Sequence, residues 1–262
     1  LTEEEFLSNA NGYELMANLD ELDHVSRRTY ILLGVAVARS VLHLTEAPEL
    51  SDYLDLAERG ADDPKLEKKM GLAANKVDQL QYEVWVHTDH ENLRWAAVLW
   101  ALVPLRRSYY LYGDFVALRR AVSPEDLANL IREFVNPFHA GAYLLQETKR
   151  PSEVPGRENY MFGELIVQNP CWRTAQVLEL AQAAYDEKRP EEPKDPLHSL
   201  DPVRLAILSD AMEEMGCDDR GLLDHLRSPL PHYRGCWALD VVLDKRADPK
   251  EGVVGDRKTM AK

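Results

Sequence analysis

Apolar residues recur at spacings of three and four along most of the chain, and no segment alternates apolar and polar positions over five or more residues. That pattern predicts helices and no strands. Thr2 and Glu5 make a capping box ahead of Phe6 and Leu7, the hydroxyl accepting from a first-turn N–H while the carboxylate reaches back. A second short helix is expected over Tyr13 to Leu19. From Val25 to Leu44 the apolar positions (Ile31, Leu32, Leu33, Val35, Val37, Val41, Leu42) are too continuous for one stripe, and about twenty residues is too long for a strand. A helix buried on several sides is the reading.

After Pro48, the run Leu50, Leu54 and Ala57 predicts a helix stopped at Gly60, where a residue without a Cβ takes the left-handed closing conformation. Asp63 and Pro64 open the next helix, carried by Leu66, Met70, Ala73, Val77, Leu80 and Val84. Thr88 and Glu91 repeat the capping box before Leu93 to Trp100, and Pro104 marks an end or a kink. Leu105 to Ala121 is expected to be helical as well. Ser123, Pro124, Glu125 and Asp126 are a start signal for Leu127 to Phe134: an acceptor at the cap, proline in the first turn, acids at the positive end of the dipole.

The periodicity breaks over 136–169, and an irregular loop that long covers a surface or shapes a site. Helicity resumes from Trp172 to Lys188. A proline-rich linker, 189–200, leads to Asp201-Pro202, which opens a helix ending at Gly216. Residues 246–262 read as a disordered polar tail. The expectation is therefore an all-α domain over 1–245 with nine to eleven helices, a multi-helix globular bundle or an irregular repeat-like array. It divides into lobes at 1–135 and 170–245.

Composition narrows the setting. With 262 residues and 45% hydrophobic content, the chain can bury a core without disulfides or metal. Its 31 Lys plus Arg against 45 Asp plus Glu give a net charge of -14, which argues against nucleic acid and anionic membranes as partners. Three cysteines, no apolar run of membrane-spanning length and no signal-peptide pattern indicate a cytoplasmic protein. The start at Leu1 leaves open whether a leader precedes it.

Residues 216–245 hold the densest candidate chemistry. Cys217, His225, His232 and Cys236 are two thiols and two imidazoles, the donor set of a structural zinc site. Their gaps of about seven, six and three residues depart from the tight ligand pairs of zinc modules, so no cofactor is the first expectation and zinc the alternative. A nucleophilic triad would use Cys236, His232 as base and Asp240 as orienter. The simpler reading makes Cys217 a buried residue, has Asp218 and Asp219 cap the helix over Leu222 and Leu223, and forms a structural clasp from Pro229, Pro231, His232, Arg234, Trp237 and Asp240.

Two further clusters carry weaker signals. His87, Asp89, His90 and Glu91 read as a solvated helix entrance. Arg106, Arg107, Tyr109, Tyr110, Tyr112, Arg119 and Arg120 form a basic and aromatic patch suited to intramolecular pairing and then to a partner protein.

The 216–245 segment resembles the C-terminal signature of a group of uncharacterised, heavily duplicated bacterial proteins of planctomycete type, GCDxxxLLxHxRxPGPHxRGCWxxDLLLGK. Upstream, TEEEFL at 2–7, RSVLHLT at 39–45, DLAERGADD at 55–63, LIREFVNPF at 130–138 and LAQAAYDEKR before RLAILSDAMEEMGC match in the same order. The resemblance implies a helical fold and a shared structural job for the C-terminal segment; it transfers no catalytic residue. Val37 and Ala38 stand where those proteins often show a cysteine pair. Leu230 and Asp244 replace glycines, which questions whether those turns need positive φ, and 189–201 looks like an enlarged linker. Together these readings lead to a non-enzymatic protein-interaction or scaffold module. The alternatives are a metal-dependent or thiol enzyme centred on the Cys/His segment, and a small-ligand pocket under the 136–169 loop.

Overall fold

The computed structural model describes residues 3–17, 26–45, 47–87, 104, 119, 121–135, 170–186, 197 and 199–245. Among them are ten α-helices, two short 3-10 helices and no strand, the all-α fold that the periodicity predicts. The helices are α1 (Glu3–Ser8), α2 (Gly12–Ala17), α3 (Arg27–Val41), α4 (Glu49–Asp62), α5 (Glu67–His87), α6 (Pro124–Phe134), α7 (Ala175–Asp186), α8 (Pro202–Glu214), α9 (Arg220–Leu226) and α10 (Trp237–Leu243). No described helix is long and apolar enough to cross a membrane.

Local chemistry sets the starts. Ser26, Ser123, Asp201 and Asp219 each cap a helix by accepting from a first-turn N–H, those of Thr29, Asp126, Val203 and Leu222. Each bond satisfies a donor that the helix cannot pair internally. The ends are less local. Gly60 does not stop α4, which runs on to Asp62. Its hydrogen faces Met70, and a Cβ there would meet the Met70 sulfur at 2.1 Å, so this glycine lets α4 and α5 approach. Conversely, Asp244 closes α10 at φ 58 in the left-handed region. That turn does take positive φ without glycine, while Leu230 does not. The signals at Thr2, at Leu19, at Thr88 and Glu91, over 93–100, in the 136–169 loop, across most of the 189–200 linker and in the 246–262 tail lie outside the described residues.

Two apolar cores result. The first surrounds α3, buried without interruption from Tyr30 to Arg39, and takes in α1, α2, α4, α5 and α6. The second gathers α7 to α10 around Leu205, Leu208, Leu222, Trp237 and Leu239. The 227–236 segment couples them: Tyr233 leaves the second half and joins the first core, stacked on Phe134 with ring centroids 6.3 Å apart. Gly235 sits at φ 92, and a Cβ there would meet Leu32 at 2.7 Å and Phe134 at 3.1 Å. Both the backbone and the packing therefore demand glycine at that turn.

Gly12 and Gly60 give a graded test of close approach. A Cβ at Gly12 would lie 2.3 Å from the Ala128 backbone nitrogen, which cannot move without shifting α6, whereas at Gly60 the obstacle is the flexible Met70 side chain. Gly12→Ala is expected to cost about 1–3 kcal/mol as overpacking. Gly60→Ala should be near neutral, since the helical gain of about 1 kcal/mol offsets the displaced Met70. Urea denaturation of the two variants checks the order.

Candidate functional site

The clasp places a buried carboxylate among imidazoles and a thiol. Glu133 stands in the last turn of α6, among Leu127, Leu130, Ile131 and Phe134 on the helix's buried side, and is itself buried. Three residues of the C-terminal segment meet it. His225 comes from the last turn of α9. His232 comes from the extended stretch that follows, where its backbone carbonyl accepts from Leu200 N–H at 2.7 Å. Cys236 follows a turn closed by its own N–H to the Tyr233 carbonyl at 2.9 Å, and it precedes α10.

The separations are short and mutual. His232 Nδ1 lies 3.1 and 3.2 Å from the two Glu133 oxygens. His225 Nε2 is 3.2 Å from Glu133 Oε2 and 3.3 Å from Cys236 Sγ, and Cys236 Sγ is 3.8 Å from His232 Nδ1. One donor atom from each of the four residues falls within 4.8 Å of every other. Further bonds orient them: Tyr233 N–H donates to Glu133 Oε1 at 3.2 Å, His232 Nε2 faces the Ser228 carbonyl at 3.4 Å, and the His225 ring packs on Trp237 with centroids 4.8 Å apart. His232 and Cys236 are fully enclosed, while the His225 side chain keeps 19% of its exposure.

Electrostatics follow from this enclosure. Burial alone would raise the Glu133 pKa, but hydrogen bonds and charge from His225 and His232 outweigh it and hold the carboxyl down to about 2. Burial likewise works against a charged His232, and the Glu133 carboxylate overcomes it, so the imidazole is raised. For Cys236, burial and the neighbouring carboxylate push the same way, and the thiol is held well above its ordinary range. A neutral, enclosed thiol is a poor nucleophile.

The sequence expectations meet this geometry unevenly. His225, His232 and Cys236 come together, but Cys217 does not join them; its place is taken by Glu133. Cys217 follows the Met215-Gly216 turn that ends α8, its N–H pairs with the Met212 carbonyl, and its side chain belongs to the second core. The triad fails at its third member: Asp240 turns away from the histidines to pair with Arg28. Of the clasp residues, His232, Trp237 and Asp240 are buried. Arg234 stacks over Tyr185 with its guanidinium 4.9 Å from the ring centre and bonds the Tyr185 carbonyl at 3.3 Å, and Pro231 lines a cavity. Pro229 lies in the loop before His232.

Arg119, from the basic and aromatic patch, stacks over Tyr13 at 5.0 Å, which is an intramolecular use. Arg106, Arg107, Tyr109, Tyr110, Tyr112 and Arg120, like Asp89, His90, Glu91 and the side chain of His87, lie outside the described residues. Glu133 carried one usable signal: an acid on the apolar side of a strongly amphipathic helix needs a partner.

A second buried polar group sits at the far end of the same segment. Arg28 donates to Asp62 at 2.6 Å, to the Tyr185 hydroxyl at 2.7 Å and to Asp240. One guanidinium is divided between two carboxylates, and Asp240 Oδ1 is left without a hydrogen-bond partner. Burial therefore dominates Asp240 and raises it to about 6, with Arg28 only partly opposing. For Asp62, burial is outweighed by Arg28, Tyr185 and Lys245, and its carboxyl is lowered.

No family model, curated protein or solved structure matches the chain.

Proposed function

We propose that the chain is a zinc-binding helical protein in which Glu133, His225, His232 and Cys236 hold one ion, and that the ion fastens the C-terminal segment to α6. The carrying observation is the convergence of four donor atoms, three from one C-terminal segment and one from α6 about a hundred residues earlier. Metal–ligand distances of about 2.0–2.3 Å in a tetrahedron require donor–donor edges of roughly 3.3–3.6 Å. Four of the six edges, at 3.1, 3.2, 3.3 and 3.8 Å, lie near that range, and all six fall within 4.8 Å. Two imidazoles, a thiolate and a carboxylate suit a borderline-soft ion such as zinc.

Charge supports the same reading. A thiolate and a carboxylate together neutralise a divalent cation, which removes the cost of enclosing either anion alone. Tyr233 N–H on Glu133 and the Ser228 carbonyl on His232 are the outer bonds that orient ligands around an ion. Four protein ligands close the coordination sphere, which favours a structural role over catalysis. This role agrees with a non-enzymatic scaffold, and a reducing cytoplasm would keep the thiolate ligand available.

Elemental analysis of the purified full chain tests it. About one zinc per chain is expected, retained in Cys217→Ser and lost in Cys236→Ser. Absence of stoichiometric metal after refolding with zinc, or equal loss in the two variants, overturns the assignment.

A further inference from the structure

A cavity of about 490 Å³ lies between α1, α6 and the 225–237 segment, within the size range of small-molecule sites. Phe6, Leu130, Tyr233 and Trp237 make much of its apolar wall, and Asn129 and Arg132 supply polar groups. Glu133 and His225 also reach it, so one flank of the four-donor cluster faces this space, whereas His232 and Cys236 do not line it.

Arg132 is the unusual member. It donates from Nε to the Phe6 carbonyl at 3.2 Å, from Nη1 to Asn129 Oδ1 at 3.3 Å, and from Nη2 to the Asn9 carbonyl. All three acceptors are neutral, and two of the five guanidinium N–H groups remain for another acceptor. No carboxylate among the described residues pairs with it. The two acids on the same wall are otherwise engaged: Asp126 accepts from the Ser123 hydroxyl at 2.7 Å, and Glu133 from the histidines. A cation without a counter-ion in an apolar-walled cavity is where an incoming carboxylate gains a charge-assisted, forked bond.

We propose that this cavity binds a small amphipathic monocarboxylate, with its charged group on Arg132 and its apolar body against Leu130, Tyr233 and Trp237. A polyanion fits poorly, because Asp126 and Glu133 share the wall and the whole chain carries -14. The anion site stands on Arg132 and does not depend on zinc in the neighbouring cluster.

Calorimetric titration of the full chain with octanoate, and with octanol as the uncharged counterpart, tests this. Octanoate is expected to bind saturably at one site, with octanol weaker by roughly tenfold or more, the factor set by the lost charge-assisted bonds. Arg132→Met should weaken octanoate by a similar factor and leave octanol unchanged. Because Arg132 also ties the Phe6 and Asn9 carbonyls, Ser40→Leu provides a second variant: Ser40 lines the same cavity, and the larger side chain should abolish octanoate binding with Arg132 intact. Absence of saturable octanoate binding, equal affinity for octanol, or undiminished binding in Ser40→Leu overturns the proposal. Zinc content measured on the same samples keeps its failure distinct from that of the metal site.

Discussion

His232→Ala is expected to lower the unfolding free energy by about 3–5 kcal/mol, the usual cost of removing one partner from a buried charged group. The variant keeps Glu133 enclosed and takes away a hydrogen-bonding imidazole that holds its carboxyl low. For a chain of this size each kcal/mol moves the melting temperature by roughly 2–4 °C, so a fall of about 6–20 °C should be seen. His225→Ala should cost less, because that side chain is partly open to solvent. Adding a chelator separates two origins of the effect. With zinc bound, chelation should destabilise the wild type toward the variant and leave the variant unmoved. If chelation moves neither protein, the four residues form only a hydrogen-bonded network.

Arg28→Met should be comparably severe, and here pH supplies the signature. The substitution leaves the buried Asp240, with the more open Asp62 beside it, without the guanidinium that both contact, again at a cost of about 3–5 kcal/mol near neutrality. In the wild type, Asp240 is raised from 3.8 to about 6, so between those values the folded state holds a proton that the unfolded state has released. Stability from this group therefore falls as pH rises through that window, by on the order of 3 kcal/mol in total. Asp62 has the opposite sign: its carboxyl is lowered, so its contribution is present above the ordinary carboxylate range and is lost on acidification. The groups facing Asp240 are Arg28, Asp62 and Lys245, with Tyr185 bonded to both Arg28 and Asp62. Asp240→Asn should flatten the profile between about pH 4 and 6, measured by urea denaturation against the wild type. A profile of unchanged slope would count against the raised Asp240.

Much of the architecture was legible because it is written locally. Ser123 with Asp126, Asp201 with Val203 and Asp219 with Leu222 are bonds across two or three residues, and a sequence displays them directly. Gly60 was misread because a glycine late in an apolar run fits a helix stop, and only the position of Met70 in the next helix reveals a close approach. The cluster divides in the same way. His225, His232 and Cys236 share one segment and stood out by residue type. Glu133 lies about a hundred residues earlier, and nothing in its neighbourhood names its partners. The partners of Asp240, Arg28 and Asp62, escaped notice for that reason too, since an ion pair between distant helices leaves no spacing to read.

The distance along the chain from Glu133 to Cys236 also bears on how the protein is made. At about 5–20 residues per second, ribosomal synthesis places His225, His232 and Cys236 in reach of Glu133 only some 5–20 s after that residue is polymerised. Through that interval the nascent first core has neither the imidazoles for its acid nor Tyr233 to stack on Phe134. Coordination would then be a closing event of biogenesis, and capture of zinc by a chain still on the ribosome would report that both halves have docked.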